Sequence, residues 1–233
     1  MADLTPYSED NTARTGKRDP QASRQALLTA AIAEFAGKGP AGARVDEIAR
    51  RAGVNKQMVY HYFGNKDDLF RAALEEVYGR IRARERALNL SDLPPVRAME
   101  SLVGFSFDYL AEHPEFIALL NDENRYGAMH LDGLREVQSM HLPLVELIRD
   151  ALQRGVREGV FRDDIDPINL YISIAGLSYF FFSNNRTLSA IFGTNLGDTK
   201  AVAVRRRHVI EFALGALRPS NHCRMLSTNQ IVD

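Results

Sequence analysis

The stretch RVDEIARRAGVNKQMVYHYFGNK, residues 44–66, reads as two short helices around a tight turn, with opposite roles on their faces. In the first helix Val45, Ile48, Ala49 and Ala52 fall at i, i+3, i+4 and i+7, the spacing that gathers apolar side chains on one stripe. Asp46 and Glu47 sit at its positive end and Arg50 and Arg51 at its negative end, as the helix dipole favours. Gly53 permits the left-handed residue that stops a helix, Val54 packs inside the turn, and Asn55 caps the next helix through its side-chain oxygen. At about 100° per residue, Val59, Tyr62 and Phe63 lie on one arc of that helix and Lys56, Gln57, Tyr60 and His61 on another. The first arc faces a core. The second faces outward, with side chains suited to duplex DNA: Lys56 for a phosphate or a guanine edge, Gln57 for adenine, and Met58 at the border for a thymine methyl. Tyr60 and His61 offer hydrogen bonds to phosphate oxygens. Gly64, Asn65 and Lys66 close the segment, with Asn65 as a cap and Lys66 at the start of a helix whose N-terminus suits a phosphate.

The chain here resembles the TetR family of bacterial transcription regulators. The residues that carry the resemblance are LLTAAIAEFAGKG (27–39), DEIARRAGVNKQMVYHYF (46–63) and NKDDLF (65–70), within roughly the first third of the chain. The resemblance implies that Arg44, Lys56, Gln57, Met58, Tyr60, His61, Tyr62 and Lys66 occupy positions that touch DNA. Two residues depart from the family pattern. Ala43 stands where a capping Thr is usual, a loss of about 1 kcal/mol unless a neighbour substitutes. Gly64 stands where Pro is frequent, which predicts a looser turn.

Asp19 and Pro20 mark a helix start, Leu27, Ala30, Ala31 and Phe35 form its buried stripe, and Gly37 and Gly39 end it. The sequence thus predicts a flexible basic arm over 1–19, a three-helix DNA-binding head over 20–66 with its helix-turn-helix at 44–63, a helical effector-binding and dimerisation domain over 67–218, and a disordered tail over 219–233. Arg14, Lys17 and Arg18 in the arm can follow a groove beside the motif or serve as a solvated tail. The fold class is all-α. A linking helix from Lys66 to about Leu88 carries Leu69, Phe70, Ala73, Leu74, Val77 and Ile81 inward, while Arg80, Arg82, Arg84 and Arg86 near its end predict a solvated face. Later prolines predict helices near 94–112, 115–126, 131–156 with a break at Pro143, 167–184, 188–192 and 200–217.

Charge is distributed as a regulator needs. Between Arg14 and Lys66 ten Lys or Arg face four Asp or Glu, a balance of +6 in a chain of net charge −1, so the remainder carries −7. A single cysteine, Cys223, excludes an internal disulfide framework and a cysteine zinc cluster. The N-terminus lacks the apolar segment of a signal peptide, and the apolar run near Leu170–Phe182 is too short to span a bilayer, so no membrane association and a cytoplasmic location are expected. Asp163, Asp164 and Asp166 before Pro167 are explained more simply by a capping loop than by a metal. No cofactor and no metal are expected.

The segments 167–184 and 200–217 are too apolar for a monomer's surface, which predicts a homodimer that presents two recognition helices to a palindromic double-stranded operator. Candidate effector contacts are Phe105, Tyr109, Phe116, Asn124, Arg125, Tyr126, His130, His141 and Tyr179, an aromatic set with a few polar groups. The expected function is a repressor released by an unknown small molecule. A helical enzyme using Asp122, Glu123, His130 and His141, or a protein-interaction module with no DNA affinity, is the competing reading; HExxH, GxSxG and phosphate-binding Gly loops are all absent.

Overall fold

A computed structural model describes residues 19–131 and 135–219; the expected arm before Asp19 and the tail beyond Pro219, with Cys223, lie outside the described residues. Among these the chain forms ten α-helices and no strand: α1 Pro20–Gly42, α2 Val45–Ala52, α3 Lys56–Phe63, α4 Lys66–Arg86, α5 Pro95–Glu112, α6 Pro114–Arg125, α7 Arg135–Arg157, α8 Pro167–Ser183, α9 Asn185–Phe192 and α10 Thr199–Leu217.

Capping chemistry sets the helix starts. Asp19 accepts from the Gln21 N–H, Asn55 from Gln57, Asn65 from Asp68, Asp166 from Asn169 and Asp198 from Lys200 and Ala201. Gly53, at φ 64° and ψ 36°, stops α2 in the left-handed conformation. Gly39 breaks α1 at φ 67° and ψ 169°, a region essentially confined to glycine, and Pro40 begins one further turn beyond it. The α2 start has no side-chain cap; instead the buried Glu34 carboxylate of α1 accepts the Arg44 N–H at 3.3 Å, supplying what Ala43 cannot.

Two hydrophobic cores share the load. The first gathers Leu27, Leu28, Phe35, Ile48, Val59, Leu69 and Phe70 from α1–α4, then runs on through Tyr109, Phe116 and Leu119 of α5 and α6. The second gathers Met99, Phe107, Ile148, Ile174, Phe181 and Val209 from α5, α7, α8 and α10, with Phe161 from the turn between α7 and α8. Each fully buried Phe or Leu contributes roughly 1.5–3 kcal/mol of transfer free energy. The head is therefore packed onto α6 rather than hung from α4 alone.

Three expectations need correction. α7 runs through Pro143 without a break, because losing one N–H is tolerated where Leu144, Ile148 and Ala151 anchor the helix in the second core. α9 begins at Asn185, three residues earlier than expected. Arg82 is buried at 3% exposure, although Arg84 and Arg86 are exposed: it lies four residues after Tyr78 and three before Glu85, on the inner face of α4.

Candidate nucleic-acid interface and buried cavity

α3 divides its side chains as its periodicity requires. Val59 and Phe63 are buried, Tyr62 and Met58 are half-buried, and Lys56, Gln57, Tyr60 and His61 are exposed. Tyr62 packs against the first core with its ring edge toward Phe63, so only part of it reaches the surface. Arg44 is exposed beside α3, close enough for its charge to act on both Asp46 and Lys56.

Ion pairs hold this surface in place. Lys56 Nζ meets Asp46 Oδ1 at 2.8 Å, tying the first turn of α3 to the first turn of α2. That hydrogen bond holds the Asp46 carboxyl below its ordinary range and the Lys56 ammonium above its own. Glu47 accepts from Arg50 and Arg51, which brings its carboxyl down to about 2. Lys66 Nζ donates to the Ala41 carbonyl at 3.3 Å, joining α4 to the end of α1. The surface so formed combines fixed cations, an amide and two hydroxyl or imidazole groups, the mixture that positions a helix on phosphates and reads base edges.

A cavity of about 230 Å³ lies in the body between α4, α5, α6, α7 and α8. Phe116, His141 and Tyr179 of the expected effector contacts line it, together with Tyr78, Arg82, Glu85 and Tyr171, which the sequence reading had not selected. The aromatic wall is continuous: Tyr78 meets Phe116 at 5.3 Å and His141 at 5.5 Å, and His141 meets Tyr171 at 6.4 Å, all edge-on. The other expected contacts lie elsewhere. Phe105 and Tyr109 line a separate, charged cleft of about 580 Å³ with Arg84, Asp108 and Arg206. Asn124, Arg125 and Tyr126 are exposed at the end of α6. His130 is buried against Phe70 at 4.9 Å, and its backbone N–H and its Nδ1 meet the Glu123 carboxylate at 2.7 Å each. Asp166 caps α8, and Asp164 pairs with Arg162 at 3.3 Å.

Burial pushes the Glu85 carboxyl up to about 7, against the opposing pull of Arg82 and Arg86. A carboxyl whose folded value lies above its ordinary 4.5 contributes stability fully below pH 4.5, and loses it as pH rises toward 7. In Glu85→Gln that loss is expected to vanish, so the stability of the variant relative to the parent climbs by about 3 kcal/mol between pH 4.5 and pH 7.5. Urea titrations across that range measure it; a flat difference would remove Glu85 as the titrating group.

Comparison with known proteins places the chain among bacterial regulators. Residues 27–73 match the family described as bacterial regulatory proteins, tetR family, and residues 95–212 match the tetracyclin repressor-like, C-terminal domain. The HTH-type transcriptional repressor NicS of Pseudomonas putida is 35% identical over 209 residues, covering 89% of this chain and 99% of NicS. The HTH-type transcriptional repressor SCO4008 of Streptomyces coelicolor is 39% identical over 142 residues, 60% of this chain and 69% of SCO4008. The crystal structure of the Streptomyces coelicolor regulator SCO4942 superposes with a TM-score of 0.63 at 25% identity, over 84% of this chain and 99% of that one. KstR2 of Mycobacterium tuberculosis, a ketosteroid transcriptional regulator, shares the fold with a TM-score of 0.60 at 24% identity, over 84% and 95%.

Proposed function

We propose, for a chain that belongs to the TetR family of bacterial regulatory proteins, the work of a homodimeric repressor that leaves a palindromic operator when a small molecule enters its body. The observation that carries this reading is the division of α3, with Lys56, Gln57, Tyr60 and His61 outward and Val59 and Phe63 anchoring it from behind. DNA contact is assigned to those four residues with Arg44, Met58, Tyr62 and Lys66. Lys56 and Arg44 neutralise phosphates, Gln57 reads a base, and the α4 N-terminus receives a phosphate beside Lys66.

Dimerisation is assigned to α8 and α10. Leu170, Ile174 and Phe181 of α8 and Val209, Ala213 and Leu217 of α10 are spent on the protomer's own core. Ile172 and Phe180 on α8 and Val204 and Phe212 on α10 are each half exposed or more, an apolar face that a second copy would cover. Two heads then meet half-sites about 34–36 Å apart, or a multiple of that spacing. Phe180→Asp combined with Phe212→Asp is expected to give a monomer by sedimentation and to abolish tight operator binding; a dimer that persists would move the interface elsewhere.

Binding to a library of duplexes, with footprinting, tests the head. Gln57→Ala is expected to relax base preference at one position of each half-site, at about 1–3 kcal/mol per half-site. Lys66→Ala is expected to weaken all sequences alike and reduce the slope of log affinity against log salt by about one. Equal loss of specificity from both would contradict the assignment. The effector reading is assigned to the 230 Å³ cavity, since α4 contributes to both its wall and the head. Release requires the ligand to favour the spacing of heads that the operator does not.

A further inference from the structure

Arg82 is an unusual residue to find in the wall of an aromatic cavity. Its side chain is 3% exposed, and among the described residues neither Nε nor Nη1 makes a hydrogen bond. Nη2 donates to the Tyr171 hydroxyl at 3.3 Å, while the guanidinium lies 5.6 Å from the Tyr171 ring centre. Glu85 Oε2 approaches Nη1 at 2.7 Å, but the two are not aligned as a hydrogen bond, and Oε2 also lacks one. Buried donors without acceptors are costly, and a guanidinium cannot shed its proton to escape that cost. A carboxylic acid can, and burial has already raised Glu85 to about 7. The guanidinium is thus the fixed charge of the pocket, and its short contact is with a carboxyl that can become neutral.

Size and shape narrow the acceptor. An enclosed cavity of about 150 Å³ holds benzene, so about 230 Å³ in a partly open pocket accommodates at least one ring and one substituent. The edges and faces of Tyr78, Phe116, Tyr171 and Tyr179 suit a flat π system better than a flexible chain. We propose that the cavity binds a single-ring aromatic carboxylate, its ring among Tyr78, Phe116 and Tyr179 and its carboxylate on the Arg82 guanidinium, which turns away from Glu85 to meet it. This rests on the effector reading above, and specifies the ligand that reading leaves open. A protonated Glu85 then donates to the second carboxylate oxygen, and the Arg82–Glu85 contact gives way to contacts with the ligand.

Benzoate is the probe, with benzamide as its uncharged counterpart, benzylammonium as its cationic one and hexanoate as its flexible one. Calorimetry on the full-length protein is expected to rank benzoate first, with benzamide roughly tenfold or more weaker. Arg82→Gln is expected to lose roughly tenfold to a hundredfold in benzoate affinity. If Arg82→Gln does not fold, the ranking on the unaltered protein decides. Tighter binding of benzylammonium or hexanoate than of benzoate overturns the proposal, as does a folded Arg82→Gln that binds benzoate unchanged. Operator affinity read on the same samples separates the two claims. Sequence-specific DNA binding without benzoate binding overturns the ligand class alone, whereas benzoate binding through Arg82 without DNA binding supports the site and overturns the repressor reading.

Discussion

Glu123→Ala is expected to destabilise the protein by about 3–5 kcal/mol, more than any surface change to the recognition helix. The Glu123 side chain is 1% exposed and is surrounded by donors: the His130 N–H at 2.7 Å, the Leu131 N–H at 3.0 Å and His130 Nδ1 at 2.7 Å. Removing the carboxylate leaves two backbone N–H groups and an imidazole nitrogen buried with no acceptor in its place. These contacts also hold a segment of unusual backbone, with Gly127 at φ 70° and Ala128 at φ 62°. Once released, the segment no longer presses His130 onto Phe70 of α4. Glu123→Gln, which keeps one acceptor oxygen, is expected to recover part of the loss. Chemical denaturation measures both variants, and hydrogen exchange at the His130 and Leu131 amides reports the local release. A loss under about 1 kcal/mol for the alanine variant would mean that water or a shifted backbone meets those donors.

Phe35→Ala is expected to cost a similar amount, about 3–5 kcal/mol, by a different route. Phe35 has no exposed surface, and its ring meets that of Phe70 edge-on at 5.1 Å. The substitution removes most of a large apolar side chain from the junction of α1 and α4, and the surrounding structure relaxes only partly into the gap. Because Val59 and Phe63 of α3 belong to the same core, the recognition helix loses part of its backing. DNA affinity should fall although no DNA-facing residue has changed, and the fall should deepen as temperature approaches the lowered melting midpoint. Parental stability and parental affinity in this variant would show that the head repacks freely.

The head was legible because its signals are local. Gly53, Asn55 and Asn65 act within a few residues of where they stand, and Val59 and Phe63 follow from helical spacing alone. The motif that carries the family resemblance is the same stretch, which is why family and fold could both be read there. The body was less legible because its chemistry is assembled from separate helices. Arg82 stands among alternate arginines that look like a solvated helix end, and only the spacing of Tyr78, Arg82 and Glu85 signals an inward face. Tyr171, 89 residues further on, reaches the same guanidinium through tertiary packing that no local pattern encodes. Asn124, Arg125 and Tyr126 have the polar and aromatic character of an effector site, yet α6 ends among them and leaves them at the surface. Pro143 misled in the opposite direction, since a core-anchored helix absorbs a missing hydrogen bond.

On the proposed contact of Lys56 with a phosphate, its ion pair with Asp46 gives operator binding the character of an exchange. When Lys56 turns to a phosphate, the carboxylate it leaves must recruit a cation from solution. One of the ions shed by the DNA is in effect taken back by the protein, so a salt titration would undercount the phosphates engaged by each head.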